Sequence, residues 1–247
     1  MNAGFTSEQL LDRWEDQRDV KNLMGRLSMS YCVKRERGMY EKYWSRRPDV
    51  CIGINEGWYE GSEAVAGYYM SLHENTAHQS RIVAKAFPSE LEGKSEEELH
   101  GVGSMDYKPL DTAVVEIAGD RATAKGIWTI RGSHSRITDA GPVSFWEWGW
   151  FAVDFIREGD EWKIWHMQYV HDILNRQGTK LFGDIEPYPE LAEFKGAGSM
   201  AEKLPNRPEK LRELYNIDRK FTPSPRVPEP YGTFCDTFSY GVEGVRP

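Results

Sequence analysis

The chain has 247 residues, a formal net charge of −8, 39% hydrophobic residues and 28% charged residues, a balance typical of one or two globular domains. The acidic excess argues against a nucleic-acid partner, because phosphate binding requires lysines and arginines gathered in a patch. No run of about 18 apolar residues occurs, and the first residues lack the basic and apolar regions of a signal peptide. We therefore expect a cytoplasmic protein with no membrane partner.

Helical patterns dominate the N-terminal third. Thr6 and Gln9 predict a capping box, and the apolar residues that follow recur at helical spacing, which predicts one bent helix or two helices over residues 7–37. The elements predicted next are a short aromatic helix, a strand and another helix, over residues 39–44, 50–54 and 61–73.

The middle of the chain is predicted to form an antiparallel meander of four strands. Residues 84–111, which contain a short acidic helix, are interpreted as an insertion before it. The first two strands are predicted over residues 112–118 and 122–132. Residues 144–171 supply two aromatic strands joined at Glu158-Gly159-Asp160.

The composition changes from about Asn175, since nine of the 13 prolines follow it. Apart from a short helix predicted near Pro208 to Tyr215, no hydrophobic period remains, so this segment cannot hold a core of its own. Its many aromatic residues lead us to expect that it wraps over the domain or over a neighbouring subunit. The predicted division is a domain over residues 1–174 and an extension over residues 175–247.

The order of these elements resembles the SnoaL-like branch of the nuclear transport factor two-like superfamily, over residues 7–173. The segments that carry the resemblance are Gln17-Arg18-Asp19-Val20-Lys21-Asn22-Leu23, the hairpin of residues 115–124, and residues 153–166. The resemblance implies an α+β fold, in which a curved antiparallel sheet wraps around three N-terminal helices as a cone-shaped barrel and leaves an apolar pocket in its mouth. It also implies that the chain is an enzyme that works by acid–base catalysis and needs no metal or organic cofactor.

The resemblance offers a first set of candidate catalytic residues. Members that dehydrate hydroxylated rings place a tyrosine, a carboxylate five residues later, and a histidine on or near the helix that faces the sheet. In this chain these positions are Tyr31, Glu36 and either His73 or His78, although Glu36 stands where an aspartate is usual. A tyrosine that ends an apolar helical stripe, as Tyr31 does, is also compatible with a purely structural role.

Two further candidates come from the aromatic strands. Strand alternation predicts that Glu147 faces inward, and that His166 faces inward while Met167 and Tyr169 face outward. A carboxyl and an imidazole buried among rings favour pKa tuning for catalysis, and a structural ion pair is the alternative. His78, Glu147 and His166 are therefore the candidate bases.

The remaining histidines are assigned to the surface, and aromatic and polar residues of the strands are assigned to substrate binding. His100 and His134 are expected to face solvent, and His171 is expected to pair with Asp172 at the surface. Lys108 precedes a strand at a position from which a side chain can enter the cone. With Glu36, the candidate substrate-binding residues are Tyr107, Trp128, Arg131, Trp148, Trp150 and Phe151.

These features predict a cofactor-independent lyase that acts on a hydrophobic aromatic or polycyclic hydroxylated substrate. The reaction is dehydration or a retro-aldol release of formaldehyde from a lignin-derived diarylpropane. A ketosteroid-type isomerase or polyketide cyclase, and a non-enzymatic binding or interaction module, stay open as alternatives. No metal site is expected, because the three cysteines are few and scattered. The exposed aromatic face predicted for the sheet indicates a homodimer or higher homo-oligomer.

Overall fold

The computed structural model describes residues 6–138, 141–176, 204–216, 220–222 and 224–242. In these residues N-terminal helices pack against an open, curved sheet, which confirms the predicted α+β class. The elements are α1 (Ser7–Cys32), α2 (Met39–Tyr43), β1 (Cys51–Ile54), β2 (Gly57–Glu60), α3 (Ser62–Ala86), α4 (Pro88–Leu91), α5 (Glu96–Leu99), β3 (Met105–Tyr107), β4 (Leu110–Ile117), β5 (Thr123–Thr138), β6 (Gly141–Glu158), β7 (Glu161–Arg176), β8 (Arg207–Pro208) and a 3₁₀ helix (Phe234–Asp236). Among the described helices, none has the length and apolar character needed to cross a membrane.

The helices lie where the sequence pattern predicts them, but α3 is longer than predicted. The capping box of Thr6 and Gln9 starts α1, and the buried apolar residues of α1 recur every three or four positions. The helix α3 extends to Ala86, well beyond the predicted end near residue 73. The apolar signal fades there because the buried positions of the second half of α3 include the polar residues Thr76, Gln79 and Ser80.

The predicted antiparallel meander is confirmed as β4, β5, β6 and β7. The sheet is mixed, however, because β1 pairs in parallel with β7 and carries β2 at its outer edge. The helix predicted near Pro208 to Tyr215 is wrong, since residues 204–216 contain no helix and β8 pairs with β2 instead.

The inner face of the sheet, defined here as the face packed against α1 and α3, encloses the main hydrophobic core. Asp16 anchors α1 to this sheet although it is only 3% exposed. Its carboxylate accepts hydrogen bonds from Arg121 at 2.6 Å, Arg157 at 2.9 Å and the Trp162 indole at 3.2 Å. A buried carboxylate with two charged donors and one neutral donor is satisfied, so Asp16 fixes the position of α1 on the sheet.

Candidate functional site

One buried carboxylate, Glu147, gathers four polar side chains on the inner face of the sheet. Lys108 Nζ donates to Glu147 Oε2 at 2.5 Å, and the Tyr169 hydroxyl donates to Oε1. His171 Nε2 lies 2.9 Å from Oε1, and His134 Nδ1 lies 3.6 Å from Oε2. Lys108 also donates to the Tyr169 hydroxyl at 2.8 Å. These five residues are called the Glu147 cluster below.

The strands place this cluster through a break in the pairing of β6 with β7. Trp148 pairs with Ile173, and the next residue, Gly149, pairs with His171, so Asp172 is the extra residue of a β-bulge. The bulge puts His171 on the inner face, where it reaches Glu147. Asp172 accepts hydrogen bonds from Trp150 at 2.6 Å and Arg212 at 2.6 Å instead.

The charges of the cluster are set by their mutual pairing. Burial raises the pKa of Glu147, but the Lys108 cation, the nearby His134 and the hydrogen bond from His171 outweigh burial and hold that pKa well below its ordinary value. Burial alone would lower the pKa of Lys108, but the Glu147 anion outweighs burial, so the pKa is raised above its ordinary value. Glu147 is therefore an anion at neutral pH, and it is better suited to orient an imidazole than to accept a proton.

Tyr31 of α1 lies directly beside this cluster. Its ring centroid is 6.2 Å from that of Tyr169 and 6.4 Å from that of Phe151, and Lys108 Nζ lies 5.9 Å from the ring. Burial, followed by the neighbouring Tyr69, raises the pKa of Tyr31 well above its ordinary value. The phenol is thus protonated at neutral pH and can serve as a hydrogen-bond or proton donor.

His166 does not meet Glu147, and the prediction that both face one pocket is wrong. A second bulge in β7 lets Asp154 pair with His166 while Phe155 pairs with Ile164, which reverses the alternation at Trp165. His166 Nδ1 consequently lies 2.9 Å from the buried Asp154, which also binds Lys125 Nζ at 2.5 Å. The same bulge puts Met167 and Tyr169 on the inner face rather than the predicted outer face.

The His166 site is closed by the C-terminal segment. Ser239 Oγ and the Tyr240 N–H donate to Asp154 at 2.9 and 2.8 Å. Four aromatic rings surround Lys125 Nζ at 4.5–5.9 Å from their centroids, those of Tyr231, Phe234, Phe238 and Tyr240. Since Asp154, Lys125 and His166 are fully buried, this group fixes the segment to the sheet and has no access for a substrate.

The predicted substrate-binding residues of the strands divide between three environments. Trp128 and Phe151 are buried in the core, and Tyr107 is 63% exposed. Arg131, Trp148 and Trp150 line a cleft of about 680 Å³, together with Asp172, Tyr215 and Phe221. This cleft lies on the outer face of the sheet, because Arg131 alternates with the inward Ile130 and because Asp172 faces away from Glu147.

The carboxylate implied by the family resemblance, Glu36, lies in a separate polar group. It accepts a hydrogen bond from Thr76 at 2.9 Å, and His100 Nε2 lies 3.2 Å from its other oxygen. The His73 ring packs on His100 with centroids 4.3 Å apart, whereas His78 is half-buried elsewhere on α3.

Three histidines assigned to the surface are thus placed differently by the structure. His134 and His171 join the Glu147 cluster, and His100 joins Glu36. The sequence did not reveal these contacts, because His100 and His134 stand among polar residues and His171 ends a predicted strand beside Asp172.

Comparison with known proteins gives similar folds at low identity. The chain matches no protein-family model and no curated protein sequence. Similar solved structures include a protein of unknown function from Mycobacterium tuberculosis, with 12% identity, a TM-score of 0.48, and coverage of 83% of this chain and 97% of that one. Hexachlorocyclohexane dehydrochlorinase LinA-type3 from Novosphingobium barchaimii has 12% identity and a TM-score of 0.47, and the match covers 70% of this chain and 98% of that one.

A third similar structure is described as an NTF2-like protein with a cystatin-like fold, from Novosphingobium aromaticivorans. It has 15% identity, a TM-score of 0.42, and coverage of 72% of this chain and 94% of that one. The SnoaL-like branch is not named for that protein. At this identity and these TM-scores, the likeness carries no information about reaction or substrate.

Proposed function

We propose that this chain is a cofactor-independent lyase that uses the Glu147 cluster for general acid–base catalysis on a hydrophobic aromatic or polycyclic hydroxylated substrate. The observation that supports this is an ionised carboxylate, 1% exposed, held by a lysine, a tyrosine and two histidines. Burying such charges costs several kcal/mol unless they are paired, and paired groups of this kind are typical of sites that move protons.

His171 is the proposed base of this site. Glu147 accepts a hydrogen bond from Nε2 of His171, in the arrangement we assign, and this leaves Nδ1 to take the proton. The His171 side chain is 14% exposed, compared with 8% for Lys108 and 1% for Glu147, so it is the more accessible of these three groups. A substrate that approaches the cluster would therefore meet His171 before the carboxylate.

Lys108, Tyr169 and Tyr31 supply the complementary functions. The Lys108 cation donates to Glu147 and to the Tyr169 hydroxyl, which leaves its third N–H for a developing oxyanion, and Tyr169, whose one proton goes to Glu147, holds Lys108 in place. Tyr31 has a neutral phenol and provides a proton for the leaving oxygen. Tyr31 was a sequence candidate, whereas Lys108 enters as a donor and His171 replaces His166.

The proposed reaction is an elimination in which protons are exchanged only with side chains. In a dehydration, His171 removes a proton from the carbon beside the leaving group, the C–O bond breaks, and the oxygen leaves as water after protonation. In a 1,2-diarylpropane-1,3-diol, His171 removes the proton of the terminal hydroxyl. The adjacent C–C bond then breaks to release formaldehyde, and its electron pair expels the benzylic hydroxyl as water, leaving a stilbene.

The test is turnover of a 1,2-diarylpropane-1,3-diol by protein freed of metal with EDTA. We expect a stilbene and formaldehyde, detected by absorbance and by mass. His171→Gln should lower kcat by about 10²- to 10⁴-fold, while tryptophan fluorescence shows that substrate still binds. His78→Gln, on α3 outside the cluster, is the matched control. Equal losses in the two variants, or full activity in His171→Gln, would contradict the proposal.

The same assay separates the alternatives. An isomerase or cyclase would give a product of unchanged mass. A second candidate, a small-molecule-binding module, is favoured by the outer cleft, whose aromatic wall of Trp148, Trp150 and Phe221 contains no member of the Glu147 cluster. Binding that quenches tryptophan fluorescence, is lost in Trp150→Ala and is not followed by turnover would support that candidate.

Assembly as a homodimer or larger homo-oligomer remains part of the proposal. The outer face carries the aromatic residues of the cleft, and Trp146, two residues before Trp148 on β6, is 43% exposed, so burial of this face against a second copy would be favourable. Sedimentation equilibrium should give a mass above that of one chain, and a stable monomer would contradict it.

A further inference from the structure

We propose that Glu36, His73 and His100 form a site for a divalent transition-metal ion of the zinc type, separate from the Glu147 cluster. The three side chains come from three parts of the fold: the loop after α1, the helix α3 and the residue after α5. One potential ligand atom from each lies within 4.8 Å of the other two. Two imidazoles and a carboxylate are a donor set that Zn²⁺ and Fe²⁺ accept in proteins.

The geometry is close to that of a loaded site. Two ligands bound at about 2.0–2.1 Å to a tetrahedral ion lie about 3.3–3.4 Å from each other. Glu36 Oε2 and His100 Nε2 are already 3.2 Å apart. The third ligand has to approach by at most about 1.5 Å, given the 4.8 Å limit, which a side-chain rotation of His73 supplies.

The ligand atoms are also partly held in place by the protein. Glu36 is 3% exposed, and the buried Thr76 donates to its Oε1, which leaves Oε2 directed at His100. This is the carboxylate-orienting contact that metal sites use outside their ligands. Within the part of the chain that the structure describes, Nδ1 of His73 is a buried nitrogen without a hydrogen-bond partner. A cation bound at this nitrogen would give it the partner that buried polar atoms require.

The ion would link α3 to the segment around α5, which has no buried side chain of its own and lies in the region interpreted as an insertion.

The test is binding of Zn²⁺ to the full chain after EDTA has been added and removed. We expect isothermal titration calorimetry to give one Zn²⁺ per chain, and Co²⁺ to give a visible d–d spectrum. His73→Gln should weaken binding by more than about 100-fold, and Thr76→Val by about 10- to 100-fold, because ligands matter more than the contacts that orient them. His78→Gln is the matched control, since it removes an imidazole from the same helix outside the site.

Circular dichroism of each variant shows whether it is folded before its affinity is compared. The proposal is overturned if the wild-type chain binds no Zn²⁺ at micromolar protein concentration. It is equally overturned if His78→Gln weakens binding as much as His73→Gln, since the ion would then sit on scattered surface histidines. Because the readouts are affinity and spectrum, they stand whether or not the chain proves to be a lyase.

Discussion

Substitution of Asp154 by asparagine should reveal how much the buried ionic group on the outer face contributes to stability. The Asp154 carboxylate contacts Lys125, His166, Ser239 and the backbone of Tyr240 at 2.5–2.9 Å. The asparagine side chain would keep the size of the aspartate and some of its hydrogen bonds. It would also leave the fully buried Lys125 cation with no counter-charge.

The expected cost follows from the burial of both partners. Breaking a buried ion pair by removing one charge destabilises a protein by about 3–5 kcal/mol. In a chain of this size each kcal/mol lowers Tm by about 2–4 °C, so Tm should fall by about 6–20 °C. The pKa of Lys125 is already lowered by burial, against the raising effect of Asp154. Without Asp154 the lysine loses its proton more readily, so the cost should shrink as pH rises above 7.

The assay is thermal and urea denaturation of Asp154→Asn beside Asp19→Asn. Asp19 is the matched control, because its side chain is 50% exposed and pairs with Arg18 at 3.0 Å, a surface pair worth less than about 1 kcal/mol. If both variants lose the same small amount, the ionic group does not stabilise the fold. If the cost of Asp154→Asn does not fall between pH 7 and pH 9, the unpaired lysine is not its source.

Two further predictions concern acid and glycine. Folding lowers the pKa values of Glu147 and Asp154, so the two carboxylates stabilise the protein fully above their unfolded-state pKa of about 4. This stabilisation is lost as pH falls from about 4 through the folded-state pKa values, at up to about 1.4 kcal/mol per pH unit for each carboxyl. Urea denaturation of Glu147→Gln between pH 2 and 7 should therefore show a shallower acid loss than wild type, and an unchanged slope would refute this. Gly25→Ala should raise the free energy of unfolding by about 0.5–1 kcal/mol, because Gly25 lies inside a helix with nothing within 4 Å of an added Cβ. Gly241→Ala should lower it, because the added Cβ would lie 2.8 Å from Cγ of His166, and equal effects of the two substitutions would contradict the packing described.

The order of elements was predictable because it depends on local periodicity. The capping box, the apolar stripe of α1 and the alternating strands of the meander are each readable within a window of a few turns or residues. The parallel pairing of β1 with β7 was not, since it joins strands more than 100 residues apart. The strand β8 was missed for the same reason, because two residues, Arg207 and Pro208, pair with an edge that local sequence cannot reveal.

The candidate site was only partly predictable, because strand alternation was applied without bulges. The sequence places Glu147 correctly on the inner face, the family resemblance points to Tyr31, and the position of Lys108 before a strand lets its side chain enter the cone. Each bulge in β7 shifts the alternation by one residue, so the inward positions around Trp165 could not be assigned from the sequence alone. The sequence therefore points to His166 for the role that we propose for His171.

The two bulges together explain why one strand serves both faces of the sheet. The bulge at Trp165 turns His166 outward to Asp154. The bulge at Asp172 separates His171, which contacts Glu147, from Asp172, which contacts Arg212 and lines the outer cleft. On β6, Glu147 likewise faces inward in its cluster, while the next residue, Trp148, faces outward and lines the cleft. A ligand in the outer cleft would therefore contact residues directly bonded in sequence to the Glu147 cluster. Any shift of the backbone at this bulge must move the imidazole of His171 relative to its carboxylate, because the two faces share a single pair of strands at this point.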